Sequence, residues 1–146
     1  MIIKSYEIRN NKSSFLKNNF FLLYGENVGL KKDIVKFIKK KIEEKKENIE
    51  TLFFYESEIL DNEENFYNVI YSGSLFSNKK IITIYDATDK TVKKISDIYD
   101  KYPTDVFLII FSGVLEKKSK LRNFFETNKK TICIPCYLDS EKDLAV

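Results

Sequence analysis

The stretch GENVGLKKD, residues 25–33, has the residue types of a phosphate-binding loop in the place such a loop would occupy. It follows an apolar run at residues 20–24 and opens an amphipathic stretch, so strand, glycine turn and helix come in the required order. In a working loop the glycines let backbone N–H groups converge on phosphate. A lysine reaches the outer phosphates, and a Ser or Thr hydroxyl holds Mg²⁺. Laying G-x-x-x-x-G-K-[ST] over the chain puts Gly25 at the first position and Lys31 on the lysine. Leu30 then stands where the second glycine belongs, and Lys32 where the hydroxyl belongs. The leucine pushes a branched side chain towards the phosphate position, and the missing hydroxyl removes the direct grip on the metal. Asp86 closes a later apolar run, but Ala87 follows it where an acidic base would be expected. The segment therefore reads as a turn at Gly25 with Lys31 solvated, and no nucleotide or other cofactor is expected. The enzyme alternative is a divergent P-loop phosphotransferase or NTPase using Lys31 and Asp86.

Other chemistries are narrowed by what the chain lacks. It contains no histidine, which removes a Ser-His-Asp triad, a histidine base and a histidine-bearing zinc site. Its two cysteines, Cys133 and Cys136, form a C-I-P-C pair in an apolar run, away from the helix N-terminus that would activate a redox thiol. They read as buried structural thiols, and no catalytic or metal-binding residue is assigned. Glu26, Glu56, Glu58 and Asp86 follow three of the apolar runs and could gather at one sheet end, as the acidic site of a phosphoacceptor domain does. The last run ends in Pro135-Cys136 without the lysine such domains use.

One further pair stands out. Leu75 and Phe76 are adjacent and bounded by Ser72, Gly73, Ser74 and Ser77. Neighbours on any regular element point in different directions, so one core cannot easily bury both. One reading packs a single side chain over a helix end; the other makes the pair a plug for a partner's pocket, the form many interface hot spots take.

The elements that must position these residues alternate. Apolar runs at 20–24, 52–55, 81–85, 106–111 and 131–134 lack polar alternation and suit strands covered on both faces. Between them lie helical stripes: Ile34, Val35, Ile38 and Ile42; Phe66, Val69 and Ile70; Val92, Ile95, Ile98 and Tyr99; Leu121, Phe124 and Phe125. Asp61 with Glu64 suggests a capping box, Gly73 a left-handed helix end, and Ser119 an N-cap. The expectation is an α/β domain, three-layered and P-loop NTPase-like, with a mostly parallel sheet of about five strands between helices. Pro135 requires its strand to lie at a sheet edge or to end there.

At 146 residues and 43% hydrophobic content the chain can bury a real core. No apolar run approaches the roughly 20 residues of a membrane span and no secretory signal opens it, so a cytoplasmic protein without membrane contact is expected. The formal net charge is +3. A nucleic-acid-binding module using Lys36, Lys39, Lys40 and Lys41 is a further alternative, but those lysines are spread round their helix and followed by Glu43 and Glu44, so they read as a solvated face.

Segment by segment, residues 20–146 resemble the delta subunit of the bacterial DNA polymerase III clamp loader. FLLYGENVGL is similar to that family's opening strand and nucleotide-free loop, and SGSLFSNKKIITIYDA to its S-L-F element and following strand. VFLIIFSGVLEKKSKL resembles its fourth strand and the K-x-S-K-L helix start; YLDSEKDLAV resembles the junction into its second domain. The resemblance implies an AAA+-like, nucleotide-free clamp-binding domain over residues 1–137, with 138–146 starting a connection to a lid domain. It implies that the domain binds the sliding clamp (the beta subunit) and helps open the ring during DNA replication without hydrolysing ATP itself. It places the clamp contact on Leu75 and Phe76. Other clamp-loader subunits would be partners of the full-length protein, DNA would be met only within the assembled complex, and nucleotidyl transfer would belong to the polymerase holoenzyme.

Overall fold

The computed structural model describes residues 1–8, 18–43, 48–73 and 79–138. Each apolar run becomes a strand: β1 (Phe20–Tyr24), β2 (Ile49–Tyr55), β3 (Lys79–Ala87), β4 (Val106–Ser112) and β5 (Thr131–Pro135). They form one five-stranded sheet in the order β2-β3-β4-β1-β5. Every neighbouring pair is parallel. Parallel neighbours need crossovers, and five helices accompany them: α1 (Val28–Glu43), α2 (Glu56–Asp61), α3 (Glu63–Tyr71), α4 (Val92–Asp100) and α5 (Lys120–Thr127).

Side-chain alternation along the strands divides the core between two faces. Phe20, Leu22, Ile82, Ile84, Leu108 and Ile110 meet Phe66 and Ile70 of α3, Ile95 and Ile98 of α4, and Leu121 and Phe125 of α5. Phe21, Leu23, Ile81, Ile109, Ile132 and Ile134 meet Ile34, Ile38 and Ile42 of α1. The result is the three-layer α/β fold that the sequence suggests.

Both edges of the sheet depart from a fully covered strand. Pro135 is the last residue of edge strand β5, where its missing N–H breaks no ladder. The N-terminal segment covers part of this edge: Ile3 N–H donates to Cys133 O (3.0 Å) and Cys133 N–H donates to Met1 O (2.8 Å). At the other edge, Phe54 is the one buried residue of β2. Thr51, Phe53 and Tyr55 are exposed, so β2 is covered on one face rather than two.

Local signals shift by small steps. The residues after β2 form the short helix α2, whose Glu58 Oε1 accepts from Tyr55 N–H (2.9 Å). The cap of α3 is consequently Asn62, whose Oδ1 accepts from Asn65 N–H (3.1 Å), rather than an Asp61–Glu64 box. Gly73 does not take the left-handed conformation expected of it, because α3 ends at Ser72 with an extended backbone, φ −77° and ψ 131°. Ser119 caps α5 as expected, its Oγ accepting from Arg122 N–H (3.2 Å).

Candidate functional site

Parallel strands put every strand's carboxyl end on one side of the sheet, the side where α/β proteins bind nucleotides. Gly25 turns there with φ 116°, a conformation closed to residues bearing a β-carbon. A Cβ at this position would overlap the carbonyl oxygen of Cys136. Four of the loop's backbone donors are taken up by the protein itself. Gly25 N–H donates to Gly113 O (2.9 Å), Asn27 N–H to Cys136 O (3.1 Å) and Val28 N–H to Glu26 O (3.0 Å). Leu30 N–H donates to Asn27 Oδ1 (3.0 Å), and the Leu30 side chain packs against the α1-face core.

Lys31 is the clearest correction to the sequence reading, which left it solvated. It is 7% exposed, and its Nζ donates to Ser112 O at the end of β4 (2.8 Å). Burial lowers its pKa, partly offset by Cys136, Asp86 and Glu26. Sequence reasoning missed this because a lysine stem can cross apolar surface to a distant polar partner. Asp86 is exposed on a bulge of β3, with φ 57° and a register shift between Ile84 and Ala87. Ser112 Oγ closes that bulge by donating to Ala87 O (2.5 Å).

The carboxylates at this end are engaged one by one. Glu56 Oε2 accepts from Thr88 N–H (2.6 Å) and its Oε1 from Thr88 Oγ1 (2.9 Å), tying β2's end to β3's. Glu26 Oε1 accepts from Leu138 N–H (2.7 Å). Among the described residues no group of three or more His, Cys, Asp or Glu is placed to hold a metal ion. Asp89 sits at the start of α5, where its Oδ1 accepts from Ser119 Oγ (2.7 Å) and Leu121 N–H (3.1 Å). The Ser119 hydrogen bond holds its carboxyl below the ordinary aspartate range. Cys133 and Cys136 are both buried and free, and burial pushes both thiols up to about 12. Neither carries thiolate near neutral pH, as structural thiols would not.

The opposite end of the sheet holds the approach to the sequence's hydrophobic pair. Leu75 and Phe76 lie outside the described residues, but the chain on either side of them is defined. α3 ends at Tyr71, and Ser72 N–H donates to Asn68 O (2.8 Å). The Lys80 ammonium then reaches across, donating to Val69 O (2.6 Å) and Ser72 O (2.8 Å). Lys80 is 6% exposed, and its own N–H donates to Asp105 O (2.9 Å). One buried cation therefore joins the end of α3 to the start of β3 and neutralises the helix's negative end. Its sequence context, the second lysine before an apolar run, carries no signal of this role. Tyr71, Ser72 and Gly73 are exposed.

Residues 21–137 match the protein family described as DNA polymerase III, delta subunit. No curated protein matches in sequence. Among solved structures, the fold is similar to the Bacillus subtilis DNA clamp loader delta protein (YqeN), with a TM-score of 0.66 and 12% sequence identity. That match covers 97% of this chain and 46% of the other, so the chain spans less than half of that protein's length. On the family match, this chain belongs to the DNA polymerase III delta-subunit family.

Proposed function

We propose that this delta-family domain docks on the sliding clamp through Leu75 and Phe76 and helps open the ring, with ATP hydrolysis left to other subunits. Residues 1–137 form the clamp-binding domain in this reading, and 138–146 begin the connection to a lid domain. Its partners are the clamp and, in a full-length protein, the other clamp-loader subunits; DNA is met within that assembly. Its compartment is the cytoplasm, and none of the described helices is long and apolar enough to cross a membrane.

The observation that carries the reading is the family match over residues 21–137, which includes the segment bearing the pair. The Lys80 brace supports it physically, because it ties the end of α3 to the start of β3, the two elements between which the pair falls in sequence. Two adjacent apolar anchors resemble the small number of residues that dominate most interfaces. They favour an open clamp only through tighter binding to that form than to the closed ring. The degenerate loop supports the absence of ATPase activity: Lys31 is committed to Ser112 O and four loop amides already have protein acceptors.

Surface plasmon resonance on immobilised clamp tests the proposal. Truncating either anchor costs on the order of 2 kcal/mol, about thirtyfold in affinity, so Leu75→Ala with Phe76→Ala should abolish measurable binding. Full-strength binding by a folded double variant would refute the assignment. In parallel, calorimetry should show no Mg-ATP binding; clear binding that Lys31→Ala removes would favour the NTPase alternative.

A further inference from the structure

The α1 face of the sheet is only partly covered. α1 lies over Phe21, Leu23, Ile81, Ile109, Ile132 and Ile134, and among the described residues no helix covers the outer part, towards β2. An aromatic row occupies that part. Phe53 and Tyr55 of β2 are 55% and 47% exposed. Tyr85 on β3 lies 6.0 Å from Phe53 and 5.6 Å from Tyr55, and Phe111 on β4 lies 5.2 Å from Tyr85.

The α1 side of this row is cationic, while Glu58 and Asp86 adjoin it at the carboxyl ends of β2 and β3. Lys39 of α1 lines a shallow depression together with Thr51, Leu52, Phe53, Thr83 and Tyr85. Lys36 and Lys32 precede it by three and seven residues, on the same side of the helix, and both are exposed. Across its whole length α1 carries six lysines against Asp33 and Glu43.

This combination selects among partners. The exposed groups are the Phe53 and Tyr55 rings and Thr51, with Thr83 buried between them. A second copy of the chain would bring two basic helices together across the contact. Bases offer flat π-faces to aromatic rings on an open sheet, and phosphates one residue-length away meet lysines. We propose that the open β2–β3 face binds single-stranded nucleic acid, with bases against Phe53, Tyr55 and Tyr85 and phosphates along Lys32, Lys36 and Lys39. The proposal is independent of the clamp reading, because this surface lies on the face of the sheet and not on the segment carrying Leu75 and Phe76.

Fluorescence anisotropy of a labelled oligothymidylate titrated with the chain provides the test. Binding should weaken at least tenfold in Phe53→Ala with Tyr55→Ala, whose side chains are exposed and leave the core intact. With three phosphate contacts, a tenfold rise in salt should weaken wild-type binding about a hundredfold, and Lys32→Glu with Lys39→Glu should flatten that dependence. The Leu75→Ala, Phe76→Ala variant should bind like wild type, which separates failure here from failure of the clamp assignment. No binding at about 100 µM protein, the weak end of ordinary non-specific affinity, would overturn the proposal. So would binding that the aromatic variant retains, or equal competition by duplex DNA. Concentration-dependent dimers in sedimentation velocity, dispersed by the aromatic variant in the absence of oligonucleotide binding, would assign the face to self-association instead.

Discussion

Replacing Lys80 by methionine keeps most of the apolar stem and deletes only the cation that joins α3 to β3. Two hydrogen bonds are lost, to Val69 O at 2.6 Å and Ser72 O at 2.8 Å. Each is charge-assisted, a class worth about 1.5–3 kcal/mol net. Two effects reduce the sum: the buried ammonium no longer has to be desolvated, and water can reach Ser72 O once the brace is gone. The compensation for the negative end of α3 is also lost, about 0.5 kcal/mol. The expected net destabilisation is about 2 kcal/mol. With a urea m-value of about 2 kcal/mol/M, the unfolding midpoint should fall by roughly 1 M, with m unchanged. Lys93→Met, at an exposed site on α4, is the control and should stay within about 0.5 kcal/mol. Urea titration followed by far-UV circular dichroism reads both. The same variant should bind the clamp about tenfold more weakly under conditions where it is fully folded, because the end of α3 is no longer tied to β3. A midpoint shift below about 0.25 M together with unchanged clamp affinity would show that Lys80 braces nothing, and the support it lends to the clamp reading would fail.

Two other perturbations probe the opposite end of the sheet. Gly25→Ala should destabilise by about 3 kcal/mol in the same urea assay, since φ 116° is unfavourable for alanine and Cys136 O must move; a loss below about 1 kcal/mol would mean the turn relaxes freely. Asp89→Ala should cost about 1 kcal/mol at neutral pH by uncapping α5. The native Asp89 carboxyl is held below its ordinary range, so its contribution is complete above the unfolded value near 4 and disappears as pH falls through the native value. Unfolding curves of wild type and variant should accordingly converge in acid, and a difference that persists at pH 2 would assign the effect to packing.

Much of this architecture was legible because the strands are buried in parallel neighbours and therefore appear as plain apolar runs. All five runs became strands, and each helical stripe found its face. The errors fall where a residue's role depends on something distant. Lys31 and Lys80 look like surface lysines until Ser112 O and the end of α3 are brought to their ammonium groups. α2 is six residues long, too short to show a helical period, and overlooking it moved the cap of α3 by one position. The run around Phe53 and Tyr55 is as apolar as the central strands, yet strand order, which composition does not encode, left it at an edge. The pair proposed for the clamp contact is a different case: its assignment came from resemblance, and the structure defines the chain on either side of it.

The two sheet edges are unequal, and that has a bearing on how this domain would self-associate under stress. At β5 the ladder ends in a proline, and the Met1–Ile3 backbone occupies Cys133's hydrogen-bonding groups. At β2, seven residues offer an outer edge with no strand beside it among the described residues. Growth of a sheet into a fibre needs two compatible edges on every copy, one to receive and one to offer. With one side sealed, two copies joining at β2 consume each other's free edges and leave nothing for a third. Sheet-extending association of the folded domain therefore terminates at a pair, and an N-terminal strand that came away from β5 would reopen the path to longer polymers.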